Sequence, residues 1–255
     1  MTLYVADKKV QKIYRGTELI QKAMLGSVSN PVWGEKETVS KPELDAILFD
    51  ENTAGTYSIT IPITAKYEVT FIGAGGGCAC THSSYYYAAG GGSGAGFVGV
   101  VELPKGEYTI SVGKGGAKGT AYRKNAYGSS GGFSYLKYGN TYLIRAFGGS
   151  GGQVSWSSAT EYSFYPGSGG SKPVITAYTP TGEEVSMSSL NIISTTLNSA
   201  GKSGSKNWDS STLGVLGGSP VDGTFGTGHG AGGSCTTTTP TDGKSGYAKI
   251  VYKGE

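Results

Sequence analysis

Three observations predict an all-β scaffold carrying glycine-rich insertions. Runs alternating apolar and polar residues with period two recur between residues 56 and 252. No stretch carries the sustained 3.6-residue period of an amphipathic helix. Glycine supplies 45 of the 255 residues, far above the usual share of about 7%. Ordering a glycine costs more backbone entropy than ordering any other residue, so this many are expected only where backbones approach closely or take unusual dihedrals.

Taken from the N-terminus, the first element is an internal repeat. VQKIYRGT (10–17) is echoed ten residues later by IQKAMLGS (20–27), with Lys12 and Lys22, and Gly16 and Gly26, in register. That period suits a short strand plus turn, and two such strands are marginal alone, so the segment is expected to dock onto something larger. KPELDAILFD (41–50) reads as one or two helical turns starting at Pro42. Residues 1–50 are therefore read as an attachment segment and linker, and residues 51–255 as a glycine-rich β domain. In that domain TYSITI (56–61) and YEVTFI (67–72) read as strands, and GFVGVVEL (96–103) meets EYTISV (107–112) across Pro104-Lys105-Gly106. FSYLKY and TYLIRAF are joined by Gly139-Asn140, a two-residue loop of the kind that closes tight hairpins. GYAKIVY (246–252) is the last strand, and the glycine-poor stretch 172–218 reads as a separate excursion with no assigned structure.

Several function classes recede on composition. Charged residues make up 15%, and the net charge of +3 comes without a basic run, which leaves no electrostatic footprint for nucleic acid or an anionic membrane. No run reaches the roughly 18 apolar residues a membrane helix needs, and MTLYVADKKVQKIYRG lacks the apolar stretch of a signal peptide, so synthesis in a cytoplasm is expected. Three cysteines do not make a secreted disulfide framework.

Catalytic motifs fail on context. KYEVTFIGAGGGCAC (66–80) runs a strand into glycines as a dinucleotide loop would, with Gly73 and Gly75 in place, but Cys78 holds the third position and no helix follows. GGSGG (148–152) matches the nucleophile-elbow pattern with no helix after it. Nothing in the sequence pairs the acids Glu161, Glu183, Glu184, Asp209 and Asp222 as a glycosidase requires. No catalytic residue and no cofactor are assigned. Cys78, Cys80 and His82 in one glycine-rich segment, and His229 and Cys235 in another, leave three readings open: inert packing of small thiols, a thiolate–imidazole metal site, or a disulfide through Cys235. The spacings match no established zinc pattern, and no metal is assigned.

Aromatic residues interrupt the glycine blocks at Tyr85, Tyr86 and Tyr87, and again at Trp156, Tyr162, Phe164 and Tyr165 among serines and threonines. That palette suits contact loops, because a rigid amphipathic ring offers area at little entropy cost. The alternative is that the rings pack against glycine faces or across a subunit contact. Glycines also recur at spacings of three: Gly113, Gly116 and Gly119; Gly128 and Gly131; Gly149 and Gly152; Gly167 and Gly170; Gly230 and Gly233. Three is the residue count per turn of polyproline II, whose glycine faces allow side-by-side packing. Flexible linker fits less well, since the blocks are short, interleaved with strands and rich in tyrosine.

The order AGTYSITIPITAKYEVTFIGAGGG, GGSGAGFVGVVELPKGEYTISVGKGG and GHGAGG…DGKSGYAKIVY, over residues 52–255, resembles the glycine-rich domain of bacteriophage tail and fibre proteins. It is similar, more distantly, to the extracellular glycine-rich domain of anaplastic lymphoma kinase. The resemblance implies a jelly-roll-like β-sandwich carrying a bundle of polyproline II helices, without catalysis. It implies a virion surface protein, docked on other virion structural proteins through its first 50 residues, with Val10, Ile13, Tyr14, Ile20, Met24, Leu25 and Trp33 as contact candidates. The projecting domain, most simply a homotrimer, would bind a host cell-surface glycan or protein through Tyr85, Tyr86, Tyr87, Trp156, Tyr162, Phe164 and Tyr165, with no nucleic acid and no membrane insertion. The alternative is structural decoration, or a head fibre, of capsid or tail without a receptor.

Overall fold

A computed structural model of the chain describes residues 41–255 apart from 83–85, 123, 159–160, 176–189, 208–213, 216–228 and 237–238, and before residue 41 it describes six short strands. The chain divides into two compact units, Met1–Lys41 and Pro42–Glu255. In the first, three antiparallel pairs form: Tyr4–Val5 with Lys8–Lys9, Ile13–Arg15 with Glu18–Ile20, and Met24–Leu25 with Pro31–Val32. Ile13, Tyr14, Ile20, Met24 and Leu25 lie on these strands, whereas Val10 and Trp33 fall outside the described residues.

The second unit is built on ten strands: β1 (Ile47–Glu51), β2 (Gly55–Ile61), β3 (Ala65–Ile72), β4 (Gly96–Leu103), β5 (Gly106–Val112), β6 (Ser134–Tyr138), β7 (Thr141–Ala146), β8 (Val174–Ile175), β9 (Asn191–Ser199) and β10 (Tyr247–Gly254). They make two five-stranded antiparallel sheets, ordered β9-β4-β3-β10-β1 and β8-β7-β6-β5-β2. Period-two patterning aims Tyr67, Val69 and Phe71 of β3 inward against Tyr108, Ile110 and Val112 of β5, and these residues share one buried core with Phe97, Leu136, Ile144 and Ile250. The fold is thus an all-β sandwich, as the alternation predicts.

A repeated tyrosine device sets where three strands begin. Tyr57, Tyr67 and Tyr108 are each the third residue of their strand, and each hydroxyl donates at 2.8 Å to the carbonyl four residues upstream, of Thr53, Ile63 and Pro104. Each bond satisfies a loop carbonyl while the ring stays on the sandwich, which fixes the chain's entry angle into the strand.

Two expectations are corrected. Residues 41–50 form no helix. Asp45 takes a left-handed conformation with φ 64°, its amide donates to the Tyr252 carbonyl at 2.9 Å, and the chain continues as β1 along the edge of β10. Leu48 and Phe49 then pack on the core, a gain in burial that a short isolated helix would forgo. The stretch 172–218 is likewise not a wholly separate excursion, because it supplies β8 and the nine-residue β9. Alternation fails to reveal β9 because it is an edge strand, largely exposed and paired to β4 through two register shifts.

Between the strands the glycine blocks form an ordered bundle. Segment 73–78 has no strand pairing of its own, yet its amides donate in rotation to three neighbours. Gly73 and Gly76 donate to Ala95 and Gly92, Ala74 and Gly77 to Gly132 and Ser129, and Gly75 and Cys78 to Lys244 and Thr241. Its carbonyls accept from Gly149 and Gly152, from Gly116 and Gly119, and from Gly233, at 2.7–2.9 Å. The partner changes at each residue and returns at every third, so six other segments surround this one. At the glycine positions the bundle leaves no room for a side chain. A Cβ on Gly75, Gly76 or Gly92 would come under 3.0 Å from the carbonyl of Ala231, Ser150 or Ser168.

The bundle gives the unit three storeys. Segment 73–78 leaves β3, 113–118 leaves β5 and 147–152 leaves β7, while 90–95 returns to β4, 128–133 to β6 and 241–246 to β10. Six extended residues span about 20 Å at ~3.3 Å each. Beyond them short strands form a distal cap: Ala79–His82, Tyr86–Ala89, Gly119–Tyr122 and Lys206–Asn207 in one sheet, and Ala126–Tyr127, Gln153–Ser158 and Glu161–Tyr165 in another.

Gly76→Ala is expected to lower the unfolding free energy by about 3 kcal/mol or more, whereas Ser129→Ala, an exposed position in a neighbouring segment, changes it by less than about 0.5 kcal/mol. Urea unfolding followed by tyrosine fluorescence measures both. In the same assay Tyr108→Phe, which orphans the Pro104 carbonyl, costs about 1 kcal/mol.

Candidate functional site

The distal cap inherits its geometry from the bundle. Its strands continue directly from tightly spaced glycine segments, so the layer between them admits mainly small residues: Ala79, Ala89, Ala126 and Val154 are buried there, with Tyr87 and Phe164 packed against them. Tyr87 and Phe164 meet at 5.8 Å between ring centres. In the three-stranded sheet, Ala126, Val154 and Phe164 form one cross-strand row that faces this layer.

The next row faces the other way. Tyr127 pairs with Gln153, and Gln153 with Tyr165, so two rings flank a central amide on adjacent strands. Tyr127 is 54% exposed, Tyr165 is 55% exposed and Gln153 is exposed as well. With strands spaced about 4.8 Å apart, the two rings stand about 10 Å apart. Such a row offers two amphipathic faces and a donor–acceptor pair to a ligand.

Of the aromatic candidates, Tyr165 belongs to this outward row, while Tyr87 and Phe164 lie half-buried in the layer beneath. Trp156 is half-buried, its amide donates to Asn125 Oδ1 at 2.7 Å, and its indole Nε1 is buried without a hydrogen-bond partner among the described residues. Tyr85 and the side chains of Tyr86 and Tyr162 lie outside the described residues. Sequence reasoning passes over Tyr127. The available signal is the Ala-Tyr pair, whose buried–exposed alternation continues across the sheet to Val154 and Gln153.

Residues 51–254 match the family model of the glycine-rich domain. The chain belongs to this family. No curated protein matches the chain closely enough to be named as a relative.

Within the glycine-rich domain the segments 73–78 and 148–152 are part of the bundle's hydrogen-bond network. The amides of Gly73, Gly75, Gly76 and Gly77 all donate to other segments, as do those of Gly149, Ser150 and Gly152. The hydroxyls of Ser150 and Ser168 lie 3.1 Å apart. Glu183, Glu184, Asp209 and Asp222 fall outside the described residues, as does the side chain of Glu161.

The three cysteines do converge. Cys78, Cys80 and Cys235, with Ala88, make one buried cluster where the first and last glycine blocks adjoin, and all three are free thiols. Hydrogen bonding to Cys78, reinforced by burial and partly opposed by Cys80, pushes the Cys235 thiol up to about 12. Hydrogen bonding to Cys235 and burial raise Cys80 as well. His229 does not join them. It stacks on Tyr247 at 4.5 Å and 3° between planes, beside β10, and burial lowers its pKa against the opposing pull of Asp50. Tyr247 donates to Asp50 Oδ1 at 2.8 Å, which ties this pair to β1 at the sandwich end. His229 is thus set apart from the cysteines, because segment 230–234 runs the length of the bundle between His229 and Cys235. The His82 side chain is outside the described residues.

Neutral, enclosed thiols react slowly, because the thiolate is the nucleophile. The native protein at pH 8 is expected to leave an aromatic disulfide reagent unconsumed over an hour, and to titrate three thiols once guanidinium unfolds it. The folded state holds Cys235 protonated above the unfolded value of ~8.5, so this contribution to stability is complete below pH ~8.5 and is lost as pH rises towards about 12. Thermal melts across pH 8–11, comparing wild type with Cys235→Ala, measure that slope.

Proposed function

We propose that the chain is a bacteriophage virion surface protein whose glycine-rich domain recognises a host cell-surface glycan or protein, while its N-terminal segment docks on other virion structural proteins. The observation that carries this reading is the exposed row Tyr127–Gln153–Tyr165, which stands on the cap at the end of the bundle remote from the sandwich. A bundle of hydrogen-bonded backbones makes a stiff spacer, and a rigid spacer bearing rings at its far end fits a protein that must reach a partner. The resemblance to phage tail and fibre domains supplies the setting: the virion surface, reached after synthesis in a host cytoplasm.

The three-residue rotation of hydrogen-bond partners supports reading the bundle segments as polyproline II helices. Individually weak contacts at each cap would be multiplied by copy number, and a homotrimer would supply three. Edge strand β9, with Ile192 39% and Ile193 45% exposed, supports subunit packing, since closed symmetry covers edges that a lone sandwich leaves open. The same edge favours the second reading, a structural decoration or head fibre whose contacts are all with neighbouring virion subunits.

Purified full-length protein is to be titrated onto a panel of candidate bacterial hosts, with oligomeric state recorded by light scattering. Saturable binding that weakens about tenfold in Tyr165→Ala and Tyr127→Ala, with the oligomer intact, is the expected outcome. Absence of binding to every host by an intact wild-type oligomer turns the assignment to structural decoration.

A further inference from the structure

The outer face of the sandwich carries a second surface, unconnected with the cap. On sheet β8-β7-β6-β5-β2, Tyr135 and Lys137 of β6 alternate with the buried Ser134 and Leu136 and so stand outward. In β7 a register shift leaves Leu143 and Ile144 both buried, which puts Tyr142 and Arg145, three residues apart, together on the outer side. Tyr135 pairs across strands with Arg145, and Lys137 with Tyr142.

Rings and cations interleave there. The Arg145 guanidinium lies 4.3 Å from the ring centre of Phe133, 4.9 Å from that of Phe147 and 5.4 Å from that of Tyr142. Lys137 Nζ lies 4.7 Å from the Tyr142 ring centre, and Tyr135 meets Tyr142 edge-on at 5.0 Å. Among the described residues no carboxylate pairs with Arg145 or Lys137, and the acid on this face, Glu107, accepts from Thr60 two strands away from β7. Arg145 Nε is buried, with no hydrogen-bond partner among the described residues.

A half-enclosed guanidinium without a counter-ion is costly, and cation–π attraction returns only part of the lost hydration. The terminal nitrogens, engaged by no acceptor among the described residues, keep the planar fork that matches a carboxylate in a bidentate pair. Beside them the rings of Phe133, Tyr135 and Tyr142 offer apolar area on which the C–H face of a sugar can lie, and the rest of the sheet is hydroxyl-rich through Thr56, Ser58, Thr109 and Ser111. We propose that this face binds a carboxylate-bearing polysaccharide, with Arg145 anchoring one carboxylate, Lys137 supplying a second positive charge and the three rings supporting the sugars. The site does not depend on the cap or on the receptor reading, because none of its residues lies beyond the bundle.

Affinity electrophoresis of the full chain through gels containing polygalacturonate, neutral dextran, poly-glutamate or polyphosphate tests the proposal. Polygalacturonate is expected to retard the wild type at concentrations about tenfold below those needed of any other polymer. Arg145→Gln is expected to weaken that retardation about tenfold, and Lys137→Gln about threefold, while Tyr165→Ala on the cap leaves it unchanged. Lys137→Gln removes no ring and no ion pair, so its effect reads the site even if Arg145→Gln unfolds the sheet. No retardation, equal retardation by poly-glutamate or polyphosphate, or retardation indifferent to Lys137→Gln would each overturn the proposal.

Discussion

Everything in the second unit depends on backbone-to-backbone hydrogen bonding at distances that only glycine allows. In an ordinary sandwich, loops leave the sheets and run over the surface, where water satisfies their amides. Here the connections stay together, and each segment must find donors and acceptors on its neighbours. Segment 73–78 meets that demand with six neighbours, because its amides and carbonyls turn to a new partner at each residue. Closeness is the condition of these bonds, and any Cβ at Gly75, Gly76 or Gly92 would break it.

The sandwich supplies what the bundle cannot. Glycine segments bury little apolar area and lose much backbone entropy on ordering, so they need a framework that holds both ends in register. The strands on either side provide it: β3 and β4 carry opposite directions into segments 73–78 and 90–95, and their direct pairing from Ile72↔Gly96 to Ala65↔Leu103 sets the start of both. The tyrosine hydroxyls bonded to Thr53, Ile63 and Pro104 fix strand entry at the other end. Register then passes from sheet to bundle to cap, which is why the rows Ala126–Val154–Phe164 and Tyr127–Gln153–Tyr165 alternate cleanly so far from the core.

This transfer also explains the chemistry of the thiols. Cys78 and Cys235 each stand at the distal end of a glycine segment, 73–78 and 230–234, where a slightly larger side chain ends the close approach. Sulfur fills that space without a strong hydrogen-bonding demand, so the cluster behaves as a small hydrophobic plug. The cationic face of β6 and β7 differs in kind: Arg145 and Lys137 are held beside rings, with no acid among the described residues to neutralise them. Packing accounts for the cysteines, whereas the unmatched charges of the sheet face call for a partner.

By itself the sequence determined the fold class, seven of the ten sandwich strands and the turn at Gly139-Asn140, because period-two burial and loop chemistry are local and survive in one dimension. Tertiary structure alone decided three things. Residues 47–51 became an edge strand because β10 offered them an edge, although Pro42 read as a helix start. The glycine spacing acquired its partners only when the six segments around 73–78 came together, since a period of three names no neighbour. The surfaces followed the same rule: Tyr165 was visible as one aromatic among several, but its row with Tyr127 and Gln153, and the meeting of Arg145 with Phe133 and Tyr142, arise from cross-strand register and a bulge. Register is a relation between strands, so it is not contained in either strand's own sequence.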